Sequence, residues 1–195
     1  MAKAYYSTVF EQPAAEVWKI IRDFNNYPIW VGGAGTSKIE DGKSGDTVGA
    51  VRNVVYRERR IRQRLLAQSD VERSQTYEFC GVATLPLADY QATLRITDIT
   101  DGDRAFVEWW ATFDCDAAGR DELTGTLRGW FARWLESLRT TLGQPQGSRG
   151  KPPQSGLSAV YAPFWTDSLK LQAISGIRPI FKTLSGCCIR GPHLA

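Results

Sequence analysis

The chain has 195 residues with 43% hydrophobic and 23% charged content, an ordinary globular composition that suits one domain, or one domain with a tail. No apolar run approaches the ~20 residues of a membrane span. The net charge of +3 is uneven: residues 1–142 hold 18 basic and 20 acidic side chains, whereas residues 143–195 hold 6 basic ones and Asp167 as the single acid, so the basic balance belongs to the tail and does not describe a nucleic-acid-binding domain.

The opening "MAKAYYSTVFEQP" runs directly into a strand-like pattern with no signal-peptide apolar region, so a cytoplasmic location is expected. "KAYYSTVFEQ" is predicted as the first strand. Pro13 then takes a favoured helix-start position, and "PAAEVWKIIRDF" places Val17, Ile20, Ile21 and Phe24 at helical spacing. "NNYPIWVGG" breaks that helix and adds a short second one. Gly and Asp clusters punctuate six further strands, at about 35–41, 47–56, 60–69, 74–82, 88–99 and 104–115. The links between them are short and polar, as antiparallel hairpins require.

In "DYQATLRIT", Tyr90, Ala92, Leu94 and Ile96 take one face and Gln91, Thr93, Arg95 and Thr97 the other, the pattern of a sheet buried on one side. In "VEWWATFDCD", Val107, Trp109, Ala111 and Phe113 share one face, opposite Glu108, Trp110, Thr112 and Asp114. After Gly119 the period changes to that of a helix. "DELTGTLRGWFARWLESLRTTL" puts Leu123, Leu127, Trp130, Phe131, Trp134, Leu138 and Leu142 on one broad stripe. Asp121 and Glu122 open this helix and Arg139 lies near its end, as the helix dipole prefers. The order strand, two helices, six strands, long helix predicts an α+β fold, a continuous antiparallel sheet covered on one face by the C-terminal helix.

Residues 143–156, "GQPQGSRGKPPQSG", read as a flexible linker. Residues 157–195 are moderately apolar without sustained periodicity, and too few for an independent core. Three readings stay open for them: disordered or loosely docked, an appendage that touches a partner or a membrane, or an extension with no selected structure.

Metal and cofactor chemistry find little footing. The cysteines stand at 80, 115, 187 and 188 and the histidine at 193, without a CxxC pair or a metal-ligand spacing. Cys80 and Cys115 read as small apolar fillers, and Cys187, Cys188 and His193 lack a fourth ligand for a structural zinc. There is no Gly-rich phosphate loop and no HExxH motif, so no metal and no cofactor is expected. Residues 1–142 contain no histidine, which removes Ser-His and Cys-His nucleophile designs. Glu108 and Asp114 share the face of Trp110, away from the covered side, and no catalytic residue is assigned. In "YRERRIRQR", Arg60, Arg62 and Arg64 alternate as a solvated outer face. With Tyr56 the one aromatic candidate beside them, no nucleic-acid partner is expected.

The element order and several strings, "QPAAEVWKIIRDFNNYPIW", "GAVRNVVY", "RQRLLAQSD", "LPLADYQATLRI" and "VEWWATFD", resemble the helix-grip superfamily. That superfamily includes bacterial polyketide cyclase/dehydrase-like proteins, lipid-transfer START domains, the birch-pollen allergen family and plant abscisic-acid receptors. The resemblance covers about residues 3–142. It implies a curved seven-stranded sheet wrapped around the long C-terminal helix, with two short helices after the first strand and a cavity that takes apolar or aromatic small molecules. In the plant receptors the loops before the fourth and sixth strands close over the ligand. The matching loops here are "YRER" (56–59), which lacks the Gly-Leu-Pro gate sequence, and "TLPLA" (84–88), which brings in Leu85 and Pro86.

On that architecture Trp109 and Phe113 face the concave side, where Tyr77, Phe79, Tyr90, Leu94, Trp30, Trp130 and Trp134 converge. Gln63 alternates with Ile61 and Leu65 and points inward, so its amide needs Arg52, Tyr90, water or a ligand. Arg52 reads either way, towards the cavity or outward to a surface acid. The plant receptors often carry Glu at the place of Gln63, and without that charge acid/base work is not implied. Trp110 covers convex-face neighbours, joins a homodimer contact or receives the tail. The leading expectation is a carrier or sensor of a hydrophobic, aromatic or polyketide-like molecule. The alternative is a cyclase or dehydratase in which Gln63, Arg52 and Tyr90 orient the substrate.

Overall fold

The computed structural model describes residues 1–56, 59–81 and 85–143. Residues 144–156 of the linker expected at 143–156, the extension expected at 157–195 and the residues Cys187, Cys188 and His193 lie outside them. The elements are β1 (Ala2–Phe10), α1 (Ala14–Ile21), α2 (Tyr27–Trp30), β2 (Ala34–Ile39), β3 (Val51–Tyr56), β4 (Arg59–Ser69), β5 (Ser74–Phe79), β6 (Ala88–Ile99), β7 (Arg104–Asp114) and α3 (Arg120–Gly143), in the expected order. Gly143, the expected first linker residue, closes α3 instead.

β2 to β7 form a meander of successive antiparallel hairpins, and β1 adds to its far side, giving the strand order β1-β7-β6-β5-β4-β3-β2. Strand twist bends such a sheet, and register shifts at Ala34/Ser37, Leu65/Ala67 and Ala88/Gln91 add local kinks. The result is a curved sheet with α3 on its concave side.

Several elements are shorter than their periodicity predicts, β5 ending at Phe79 rather than near residue 82 among them, and α1 and β3 show the physical reason. α1 stops at Ile21 rather than reaching Phe24. The Asp23 carboxylate accepts from the Asn25 amide at 2.8 Å, and the Phe24 amide donates to the Gly45 carbonyl at 3.0 Å, so local and tertiary hydrogen bonds replace the next helical turn. β3 starts at Val51 rather than near residue 47. Turns closed by Thr47 to Ser44 and Ala50 to Thr47, with Gly49 at φ 85°, occupy the intervening residues.

The alternation along β7 is complete: Ala105, Val107, Trp109, Ala111 and Phe113 are buried, and their neighbours are not. α3 covers this face with Leu123, Leu127, Phe131, Leu135 and Leu138. The stripe is centred differently from the predicted one. Leu135 is fully buried, whereas Trp130 and Trp134 lie on its flank, half-buried. In one row across the sheet, Ala4, Ala111 and Ala92 stand in register beside Tyr77.

The outer face is polar and paired. Arg62 bridges to Glu40, Arg64 to Glu78 and Arg95 to Glu108, as the alternating arginines of β4 predict. Trp110 lies on this face, with the Lys3 ammonium 5.8 Å and the Arg95 guanidinium carbon 5.7 Å from its ring centre. It covers cationic neighbours, one of the roles foreseen for it. Among the described residues, no helix is long and apolar enough to cross a membrane, and no group of His, Cys, Asp or Glu could hold a metal ion.

Candidate functional site

Arg52 lies at the polar centre of the concave side. It stands on β3 directly opposite Gln63 on β4, and both are buried, at 3% and 5% exposure. The inward reading of Arg52 is therefore the one the fold adopts. Its Nε donates to Gln63 Oε1 at 2.8 Å and its Nη1 to the Phe24 carbonyl at 2.7 Å. The guanidinium also stacks over aromatic rings, with its carbon 3.8 Å from the Phe24 centroid, 4.1 Å from Tyr27 and 5.4 Å from Tyr77. The partner that Gln63 needs is thus Arg52.

Burial sets the ionisation of this cluster. Loss of water pulls the Arg52 pKa down to about 10, against the opposing influence of Tyr27, Tyr77, Tyr90 and Asp23, so the side chain stays cationic at neutral pH. Burial pushes Tyr77 up to about 12 and raises Tyr27 and Tyr90 as well. All three phenols are neutral where the protein would work. Tyr77 accepts from Trp109 Nε1 at 3.1 Å, and Tyr90 lies near enough for the two phenols to influence each other's ionisation. The buried polar side chains among the described residues are Arg52, Gln63 and Gln75, none of them acidic.

The apolar part is a cluster of rings centred on Trp109 and Trp134, with Phe79–Tyr90 as a further stacked pair. Trp109 stacks on Phe131 at 4.8 Å and 14° and touches Trp134 at 5.5 Å and Trp30 at 5.8 Å. Tyr27 meets Trp30 and Trp134, and Tyr56 meets Trp134. Phe79 stacks on Tyr90 at 4.1 Å and 19°. Trp109 joins the two halves, its ring in the apolar cluster and its N–H on Tyr77.

Of the residues expected here, Trp30, Arg52, Gln63, Tyr77, Tyr90, Leu94, Trp109 and Phe113 are buried. Phe79, Trp130 and Trp134 are half-buried, and Trp130 reaches the cluster through Trp134 at 5.8 Å. Leu85 is buried, whereas Pro86 is exposed; Thr84 of the same loop, and Arg57 and Glu58 of the other, lie outside the described residues. Phe24, Tyr27 and Tyr56 complete the ring set and were not anticipated. The signal for Phe24 and Tyr27 is the aromatic spacing of "FNNYPIW", whose two short helical turns aim Tyr27 and Trp30 inward, and the signal for Tyr56 is its shared parity with Arg52 and Val54 on β3. Gln75 was missed too, although it alternates with Tyr77. It spans from the sheet to α1, donating to the carbonyls of Ile21 and Arg22.

Comparison with known proteins matches the geometry. A family model described as polyketide cyclase / dehydrase and lipid transport matches residues 1–143. No curated protein matches the chain. Among solved structures, an uncharacterised protein from Bacillus thuringiensis is 27% identical with a TM-score of 0.65, over 72% of this chain and 98% of that one. The protein XoxI from Bacillus cereus is 26% identical with a TM-score of 0.65, over 73% and 96%. The di-domain ARO/CYC BexL from the BE-7585A biosynthetic pathway shares the fold at 15% identity and a TM-score of 0.62, over 73% of this chain and 46% of BexL.

Proposed function

The chain belongs to the polyketide cyclase / dehydrase and lipid transport family, and from that premise we propose that it binds or carries a hydrophobic or aromatic small molecule between the sheet and α3. The observation that carries this reading is the convergence of rings from β3, β5, β6, β7, α2 and α3 on the same side of the sheet as one buried hydrogen-bonded pair, Arg52 and Gln63, with Phe24, Tyr27 and Tyr77 directly against the guanidinium. Apolar walls with a few fixed polar groups are the composition of small-molecule sites. The rings supply area, and the guanidinium with its neutral tyrosines supplies orientation.

A test uses the purified full chain and an apolar probe whose emission rises on transfer out of water. Saturable binding is expected, and Tyr90→Ala or Trp109→Ala should change its affinity. A probe that binds with the same affinity to wild type and both folded variants would remove these residues from the site.

A second reading is a cyclase or dehydratase that uses the same interior. What favours it is the grouping of a permanent cation, an amide and neutral phenols, which can hold and polarise a carbonyl-rich substrate while positioning supplies rate. Native mass spectrometry of untreated protein separates the readings. A co-purified molecule recovered unchanged on incubation supports a carrier, whereas turnover that disappears in Gln63→Leu or Tyr90→Phe supports an enzyme.

A further inference from the structure

We infer that the guest of this site is a monoanionic organic acid, an apolar or aromatic body whose carboxylate or acidic enolate lies against the unsatisfied N–H groups of Arg52. The inference rests on the small-molecule reading above and adds the charge class of the ligand. It starts from a donor count. A guanidinium has five N–H groups, and in Arg52 one is taken by Gln63 and one by the Phe24 carbonyl. The remaining three make no hydrogen bond among the described residues. The residue as a whole is 3% exposed, yet no Arg52 nitrogen is among the fully enclosed atoms left without a partner, so Nη2 keeps an open side that a ligand can reach.

Among the described residues no carboxylate hydrogen-bonds to this charge, and the acid that acts on it, Asp23, does so from a distance. Both hydrogen-bond partners are neutral, and no carboxylate forms an ion pair with Arg52. The other buried polar side chains among the described residues, Gln63 and Gln75, are amides, and burial keeps Tyr27, Tyr77 and Tyr90 protonated. Asp23, the one acid whose charge reaches it, has a carboxylate oxygen accepting from the Asn25 amide. A buried cation held by neutral dipoles and ring faces alone is incompletely compensated. Its own dehydration has already been met in folding, so an incoming anion loses only its own water and finds the donor fixed. Arginine is the side chain best matched to a flat carboxylate.

Acids with flat aromatic bodies and acids with flexible chains share this chemistry, and the test carries an arm for each. Binding of naphthoate and naphthamide, and of decanoate and decanamide, to the full chain is measured by calorimetry at neutral pH. In at least one pair the acid should bind about tenfold tighter than its amide, the scale of a charge-assisted hydrogen bond. Preference in the naphthyl pair assigns a flat guest, and in the decanoyl pair a chain-like one. That preference should persist from low to high salt, because buried charges are weakly screened, and in folded Arg52→Gln it should collapse towards one. Equal affinities within both pairs, or an acid preference that vanishes with salt or survives Arg52→Gln, overturn the inference and leave the small-molecule reading standing. If none of the four compounds binds and the apolar probe fails as well, both fall together. Should Arg52→Gln not fold, the wild-type ratio and its salt dependence decide.

Discussion

Trp109 acts through both its ring and its N–H. The ring lies parallel to Phe131, and the N–H donates to the buried Tyr77 hydroxyl. Trp109→Phe keeps an aromatic face but deletes the donor and some volume, and should cost about 1–3 kcal/mol in denaturant unfolding. In a double-mutant cycle with Tyr77→Phe the coupling should be about 1 kcal/mol; strict additivity would mean that the hydrogen bond does not form in solution. Tyr77 also gives a pH prediction. Its folded pKa is raised from 10.0 to about 12, so the folded state holds the proton longer than the unfolded state does. The stability this contributes is complete below pH 10 and is lost as the pH rises through about 12. Phenolate absorbance should show Tyr77 ionising late or together with alkaline unfolding, and the Tyr77→Phe difference spectrum isolates it. A step near the ordinary tyrosine value would place the phenol in water.

At the scale of elements, the two principal helices are fixed in different ways. α1 is short, and its last carbonyls meet the sheet through Gln75. Gln75→Leu should cost about 1–3 kcal/mol, because it leaves buried acceptors without a donor. Hydrogen exchange should quicken in α1 before it does in β6 or β7; uniform exchange across the three would argue against a local anchor. α3 is held by its leucine and phenylalanine stripe and tethered by Arg139, which donates to Thr8 Oγ1 and the Val9 carbonyl of β1. Leu135→Ala should lose about 2–5 kcal/mol. Trp130→Ala should lose less, since that indole is still partly in water. The reverse order would restore the stripe predicted from periodicity, in which Trp130 was central and Leu135 absent. Large indoles dominate a hydrophobic pattern, but a helix on a curved sheet can bury only a narrow face, and here the smaller residues occupy it.

For the molecule as a whole, the site depends on contacts between distant segments, and Gly45 shows how. A methyl group there would stand 1.9 Å from Asp23 Oδ1 and 3.2 Å from the Asn25 amide. The Gly45 carbonyl also accepts from Phe24, whose own carbonyl holds Arg52. Gly45→Ala should therefore destabilise the fold by about 1–3 kcal/mol. It should also shift probe affinity, although Gly45 contributes no side chain to the interior; unchanged affinity in the folded variant would uncouple the loop from the site. The sequence by itself determined the seven strands, the three helices, the inward faces of β6 and β7 and the polar outer face of β4. Those features follow from periodicities of two and 3.6, which neighbouring residues impose on one another locally. Tertiary structure alone decided that Arg52 turns inward, that Gln63 and the Phe24 carbonyl receive it, and that Phe24 and Tyr27 stack against it. Alternation along β3 left the direction of Arg52 open, because a lone cation fits an inward position only when other segments bring acceptors and ring faces to it, and no pattern within one strand records where those segments lie.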